Sequence, residues 1–206
     1  MSSWQTRHLH PLLSRRFSPP SFDPGHVLTD AEIDVLIEAA RWAPSAGNSQ
    51  PWAFIAARRG DDIHLRLVKH LAGSSAPWAP SASVLIANLA HRHVEATDWD
   101  YSEFAVYDLG QAVAHMTIQA QAMDLSVRQF RAFDRVGLAQ EFAVPPHWEV
   151  TTISAVGRPS AAPTDVRPPA RERHALDQLR WPCAAAADRS CGLSAVLDPQ
   201  HERNQR

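Results

Sequence analysis

The residues best suited to chemistry form one short stretch, residues 41–52, with the sequence RWAPSAGNSQPW. Pro44 ends the helix predicted before it, because proline lacks an N–H and clashes with the preceding turn. Gly47 lets the backbone come close to a ligand. Asn48 and Gln50 each offer donors and acceptors together, which suits the mixed polar edge of a heterocycle better than a phosphate. The stretch therefore predicts a ligand-binding turn.

A family resemblance rests on this turn and on four other stretches of the sequence. The turn carries the motif Pro-Ser-x-x-Asn-x-Gln-Pro-Trp, and Arg16-Phe17-Ser18 lies upstream of it. The chain resembles the nitroreductase family of FMN-dependent oxidoreductases, whose upstream motif is Arg-x-Ser-x-Arg/Lys-x-Phe. The resemblance spans roughly residues 12–181 and continues through residues 107–113, 133–134 and 153–159.

The resemblance implies a fold and an assembly. The family has an α+β fold, a nitroreductase-like three-layer α/β/α sandwich with a central, mostly antiparallel sheet. Its members form domain-swapped homodimers with two equivalent sites at the subunit interface. We therefore expect residues 1–181 to form one FMN-binding domain whose partner is a second copy of the chain.

The resemblance also assigns cofactor-binding residues. Family members hold the FMN phosphate and ribityl chain with the upstream motif, the isoalloxazine with the turn, and the flavin nitrogen with a backbone N–H before Phe133-Asp134. A basic pair near the C-terminus commonly adds to the phosphate site. Carried over to this sequence, the FMN-binding set is Arg16, Phe17, Ser18, Pro44, Ser45, Asn48, Gln50, Arg131, Ala132, Arg171 and Arg173.

Two positions depart from the family pattern. Pro20 stands where the family usually has Arg or Lys at the flavin pyrimidine edge, so that a charge and an N–H are missing. Arg131 stands where many relatives have a small residue. Both changes fall around the same ring by resemblance. We therefore hypothesise that the Arg131 side chain compensates for Pro20.

By resemblance, FMN accepts a hydride from transiently bound NAD(P)H and passes it to a flat electrophile such as a nitroaromatic or a quinone. No catalytic side chain is expected, because the cofactor carries the chemistry. Trp78 and Trp99 lie in loops predicted to select the substrate, although Trp78 could equally be a core residue. Two alternatives stay open: an FMN-dependent oxidase or dehydrogenase of a specialised metabolite, and a non-catalytic flavin-binding or storage protein.

The elements that must position these residues follow from the hydrophobic pattern. Thr29 and Glu32 have capping-box spacing, which predicts a helix from Asp30 to about Trp42. Apolar runs predict strands at residues 53–57, 83–90, 126–130 and 150–156, and helical patterns cover 62–72, 103–123 and 134–142. Trp42 and Trp52 flank these elements and are predicted to lie in the core. Helices alternating with strands indicate a central sheet covered by helices.

Composition excludes several classes of function. The chain has 206 residues and a formal charge of −2, so it has no basic field for nucleic acid or an anionic membrane. Residues 104–123 are interrupted by Asp108 and several polar side chains, which favours a buried helix over a membrane span. Residues 1–20 lack the apolar core of a signal peptide, and we expect a cytoplasmic protein. His91 and His93 lack Cys or carboxylate partners at suitable spacing, and no metal site is predicted.

The C-terminal part changes in composition after Gly157. Residues 158–169 contain four prolines and predict an extended arm, whereas residues 171–181 return to helical spacing. In the family such an arm commonly wraps across the dimer. Residues 182–206 are expected to be a disordered tail.

Overall fold

The structure, a computed structural model, describes residues 9–160 and 172–181. These two parts belong to two different compact units of the chain. Within residues 9–160 the helices are α1 (Pro11–Ser14), α2 (Asp30–Arg41), α3 (Asp62–Leu67), α4 (Ala105–Ala122) and α5 (Arg135–Glu141). The strands are β1 (Trp52–Arg58), β2 (Val84–His91), β3 (Ser126–Phe130) and β4 (Trp148–Gly157), and 3₁₀ turns lie at Ala46–Asn48, Val68–His70 and Ala79–Ser81.

The four strands of residues 9–160 form one sheet in the order β1-β2-β4-β3. All three neighbouring pairs are antiparallel. Ile86 lies opposite Ser154, and the register shifts between Asn88 and Leu89, where β2 bulges. The prediction of an α+β fold with an antiparallel sheet and helices is confirmed, and all four predicted strands form within one or two residues of their expected ends.

Side chains alternate between the two faces of this sheet, and each face packs against helices. One face joins α2 and α4 in a cluster that includes Leu36, Ala40, Ile86, Ala112, Met116 and Val156. The opposite face joins α3 and α5 in a cluster that includes Leu67, Leu85, Ala87, Leu138, Ile153 and Ala155. Strand β2 is fully buried up to Ala90, and its residues belong to both clusters.

Helix α2 begins as its sequence predicts. The Thr29 hydroxyl accepts the Glu32 N–H, and the Glu32 carboxylate accepts the Thr29 N–H at 2.8 Å, so both halves of the capping box are present. Ile33, Leu36 and Ala40 form the buried stripe. The helix ends at Arg41, and residues 44–50, the polar turn, follow it.

Helix α4 was predicted to be a buried helix, but the single chain buries only one of its faces. Asp108, Leu109, Ala112, Met116 and Ala120 are among the residues buried on that face. Tyr107, on another face, is 69% exposed. No helix in the described part of the chain is both long and apolar enough to span a membrane.

The core prediction for Trp42 is wrong for the single chain. Its side chain is 72% exposed, because Trp42 is the C-cap of α2 and points away from the stripe of Ile33 and Leu36. Trp52 is half-buried and packs against two of the core clusters. Sequence alone places both tryptophans beside regular elements, but only the direction of each side chain decides its burial.

The helix predicted over residues 171–181 is absent from the described residues 172–181. Residues 176–179 form turns, and every residue from 172 to 181 is exposed. A short segment that buries no apolar face lacks the packing that stabilises most helices in proteins. Residues 182–206, the predicted tail, and residues 161–171 of the predicted arm lie outside the described residues.

Candidate functional site

The polar turn between α2 and β1 has an unusual backbone. Gly47 has φ 58°, Asn48 has φ 56° and Gln50 has φ 48°. Two non-glycine residues thus hold the left-handed conformation, which costs free energy and concentrates at ligand-binding sites. A Cβ on Gly47 would meet no atom within 4 Å, so the backbone there borders open space.

Hydrogen bonds within the turn set the direction of its two carboxamides. The Gln50 N–H donates to Ser45 Oγ at 3.0 Å, and Gln50 Nε2 donates to Asn48 O and Asn48 Oδ1 at 3.3 Å. Pro44, Asn48 and Gln50 are exposed. Among the described residues, Asn48 Nδ2 and Gln50 Oε1 make no hydrogen bond, which leaves one donor group and one acceptor adjacent on the surface. This pair fits the mixed edge of a heterocycle.

Two residues that sequence reasoning did not assign to the site hold this turn in place. The Ala46 N–H donates to Asp108 Oδ2 at 3.0 Å, and Asp108 is 2% exposed. The Tyr101 hydroxyl donates to Ser49 O at 3.1 Å. A signal for Asp108 existed in the sequence, since it is the one acidic residue of the helical stretch 104–123. Tyr101 gave no such signal.

His91 supports Tyr101 from the end of β2. The backbone N–H of His91 donates to Pro51 O at 3.0 Å. The His91 ring stacks on the rings of Tyr101 and Trp148, with 3.8 Å and 4.6 Å between ring centres. Burial, followed by the charge of His147, lowers the pKa of His91 below its ordinary value of 6.5. His91 is therefore neutral at pH 7, and the stack connects the turn to β4.

The upstream motif lines a separate cleft of about 360 Å³. Arg16 Nη1 donates to Ser18 Oγ at 3.5 Å, and Gln129 and Thr117 lie across the cleft. Phe17 is half-buried. Within the described residues the lining includes none from the turn, so the two motifs do not share this cleft.

An arginine other than Arg131 accompanies Pro20. Arg128 Nη1 donates to Pro20 O at 3.1 Å, and the Arg128 guanidinium lies 3.7 Å from the centre of the Trp78 ring. Arg131 instead donates to Thr151 O at 3.2 Å and lies 3.8 Å from Glu149. Among the described residues, no direct contact between Arg131 and Pro20 supports the hypothesis that Arg131 compensates for Pro20.

Residues near Ala132 fix the loop that contains Trp78. The Ala132 carbonyl accepts the Ala72 N–H at 3.1 Å and the Ser75 hydroxyl at 2.5 Å. The Trp78 ring packs edge-on against Phe130 at 5.0 Å, and its Nε1 donates to Ser74 O. Trp78 is half-buried and packs against the core. This favours the prediction that Trp78 is a core residue over the prediction that it selects the substrate.

Trp99 and Arg173 are both exposed, each in its own unit of the chain. Trp99 is 78% exposed in a loop where its carbonyl accepts the Val94 N–H at 2.8 Å. Arg173 Nη1 donates only to Glu172 O at 3.1 Å among the described residues. Arg171 lies outside the described part. No cluster of three or more His, Cys, Asp or Glu side chains within residues 9–160 or 172–181 is arranged to hold a metal ion.

A known protein family matches part of this chain. The nitroreductase family model matches residues 13–87, a range that contains both the upstream motif and the turn. Over this range the chain matches the nitroreductase family. Further matches fall on proteins named as NAD(P)H nitroreductases.

Two curated proteins of this nitroreductase family are similar to the chain. One, from Streptomyces coelicolor, is provisionally named an NADH dehydrogenase/NAD(P)H nitroreductase; it is 27% identical over 72% of this chain and 82% of its own length. The oxygen-insensitive NAD(P)H nitroreductase of Salmonella typhimurium is 38% identical over 29% of this chain and 27% of its own length.

Solved structures show the same nitroreductase-like fold. An oxidoreductase containing FMN has a TM-score of 0.77 and 24% identity, covering 88% of this chain and 93% of that one. An enone reductase of gut-bacterial fatty acid saturation has a TM-score of 0.73 and 16% identity, covering 86% of this chain and 98% of that one. At these identities the similarity shows the fold alone.

Proposed function

We propose that this nitroreductase-family protein is an FMN-dependent oxidoreductase that transfers a hydride from NAD(P)H to a flat electrophile, such as a nitroaromatic or a quinone. The observation that carries the proposal is the turn of Asn48 and Gln50, held in a strained conformation with one free donor group and one free acceptor. A strained, anchored backbone with open polar groups is typical of a ligand site rather than of a structural turn.

The residues present fit FMN by their chemistry. Arg16 and Ser18 line one cleft. The Arg16 guanidinium can bind a phosphate by paired charge-assisted hydrogen bonds, and the Ser18 hydroxyl can bind the ribityl chain. Asn48 and Gln50 supply the donors and acceptors that the ring edge needs. Arg171 and Arg173 are proposed to add charge at the phosphate.

When bound, FMN supplies the hydride transfer between NAD(P)H and the electrophile. The residues bind and orient the cofactor: Asp108 fixes the turn, and Ser75 fixes the backbone at Ala132. Trp99 is proposed to contact substrate, because its exposed ring lies on the loop that also carries Tyr101. No side chain is assigned as an acid or a base.

The proposal includes a homodimer, in which three-layer sandwiches exchange their C-terminal arms. In the described part of one chain no residue of the turn lines the Arg16 cleft, and a second copy would bring the two together. An apolar surface supports this assembly: Trp42, Val35 and Ile118 line an open cleft of about 590 Å³ between α2 and α4. Exposed aromatic side chains of this kind are common at interfaces. A cytoplasmic location, in reach of NAD(P)H, is part of the proposal.

One spectrum and one mixing experiment test the proposed reaction. Purified protein, with FMN added if needed, is mixed anaerobically with NADH and with NADPH while the flavin absorbance is followed. Rapid bleaching by either nucleotide supports the oxidoreductase. Bleaching only by an organic donor would instead indicate an oxidase or dehydrogenase, and no bleaching would indicate flavin storage. Protein that does not bind FMN would contradict all three.

A further inference from the structure

A third groove lies between α5 and the start of β4, with a volume of about 690 Å³. Its lining is part polar and part apolar. The polar side comprises Arg92, His93, Arg135, Gln140 and Glu149. The apolar side is formed by Val136, Ala139, Ala143, Val144, Pro145 and Trp148. The volume is in the range of small-molecule sites.

The polar side carries an excess of positive charge. Arg92, Arg131 and Arg135 all lie within 4 Å of Glu149, at 3.9, 3.8 and 2.9 Å. Among the described residues, Glu149 is the only carboxylate within that distance of these three guanidiniums. Two of these guanidiniums, Arg92 and Arg135, line the groove with Glu149, which leaves one net positive charge in its lining, and Arg131 adds a further positive charge beside Glu149.

Most guanidinium donors in this cluster are unused. Arg135 makes the one hydrogen bond to Glu149, at 2.9 Å, whereas the distances from Arg92 and Arg131 are too long for a hydrogen bond. Within the described part of the chain, the Arg92 guanidinium donates to no acceptor. Each guanidinium has five N–H donors in a fork that matches a carboxylate or a phosphate.

We propose that this groove is a binding site for a small organic anion with an apolar body, such as an aryl carboxylate. Arg92 and Arg135 bind the carboxylate, and the wall of Val136, Val144 and Trp148 contacts the apolar body. The site is distinct from the turn of Asn48 and Gln50 and from the Arg16 cleft, and it does not depend on the proposed reaction.

Calorimetric titration of the full chain with benzoate tests the site, with acetate as a probe that lacks the apolar body. We expect benzoate to bind at least about tenfold more tightly than acetate, because the ring buries apolar surface. Arg92→Gln and Arg135→Gln should each weaken benzoate binding about 10- to 100-fold, the loss expected for one charge-assisted hydrogen bond. Glu149→Gln should strengthen it by about fivefold, because one negative charge is removed.

Arg58→Gln is the matched control, because the Arg58 side chain is 38% exposed, as is that of Arg92, and pairs with one acid, Asp30. It should leave benzoate affinity unchanged. Opposite effects of Arg92→Gln and Glu149→Gln cannot come from unfolding, which would weaken binding in both. The proposal is overturned if Arg92→Gln binds benzoate like the unchanged protein, or if acetate binds as tightly as benzoate.

Discussion

The buried carboxylate of Asp108 accepts a hydrogen bond from the Ala46 N–H at 3.0 Å, which connects two positions 62 residues apart. Helix α4 thereby fixes the turn that carries Asn48 and Gln50. Gln111 Nε2 approaches the other oxygen of Asp108 at 3.4 Å. The core helix thus holds the backbone of the turn in place, while hydrogen bonds within the turn set the direction of the two carboxamides.

Replacing Asp108 should therefore impair cofactor binding at a distance. We expect Asp108→Ala to weaken FMN binding about tenfold or more, because the Ala46 N–H loses its charged acceptor. Asp108→Asn retains an acceptor oxygen and should weaken binding less. Quenching of FMN fluorescence on titration measures both, with Gln111→Ala as the control. Equal affinity in Asp108→Ala and the unchanged protein would show that the turn needs no anchor.

Arg16 should distinguish FMN from riboflavin, which lacks the phosphate. Arg16→Gln should weaken FMN binding about 10- to 100-fold and leave riboflavin binding unchanged, because only the phosphate needs the guanidinium. Arg15→Gln is the matched control in the adjacent, exposed position. If Arg16→Gln weakens both ligands equally, Arg16 has a structural role and the phosphate lies elsewhere.

Arg128, rather than Arg131, should tune the bound flavin. Because Arg128 contacts Pro20, where the family usually has a base, Arg128→Met should lower the two-electron midpoint potential of bound FMN by roughly 30–65 mV. Arg131→Met should change it by less, since its guanidinium contacts Thr151 and Glu149. Spectroelectrochemical titration of the two variants compares them directly. The reverse order would restore the hypothesis that Arg131 compensates for Pro20.

Trp42 offers a test of the proposed dimer. Hydrogen bonds from Arg41 and Trp42 lower the pKa of Glu38 to about 2, so the Trp42 ring is held beside a charged group on the surface. Trp42→Ser should weaken dimerisation by at least about tenfold if the ring is buried between subunits. Trp99→Ser is the control, because Trp99 is similarly exposed, at 78% against 72%. Sedimentation velocity over a concentration series measures the change, and equal behaviour of the two variants would contradict this interface.

His64 should make folding stability depend on pH. Burial lowers its pKa below the ordinary value of 6.5, and neither ring nitrogen has a hydrogen-bond partner among the described residues. The unfolded chain therefore binds the proton more readily, so stability is fully present above about pH 6.5 and falls as the pH drops through the folded pKa.

His64→Leu should thus raise the free energy of unfolding by roughly 1–2 kcal/mol at pH 8, where a buried unpaired polar group is removed. The gain should be larger at pH 5.5. Urea unfolding at both pH values measures it, with the exposed His10→Leu as the control. A gain that is the same at both pH values would show that folding does not shift the pKa of His64.

The sequence by itself determined those parts of the fold and of the candidate site that depend on contacts between residues close together in the chain. The capping box of Thr29 and Glu32, the apolar runs of the four strands and the motif of Asn48 and Gln50 involve residues near one another in the chain. Local propensity and spacing are enough to predict such features, and the family motifs led from them to the fold.

Tertiary structure alone decided which distant groups meet. Asp108 reaches Ala46 across 62 residues, and Arg128 reaches Pro20 across 108. The exposure of Trp42 and the pairing of Arg131 with Glu149 depend likewise on how α2, β3 and β4 pack. Spacing along a chain does not encode these contacts, because each one results from the packing of whole elements whose relative positions the local sequence does not fix.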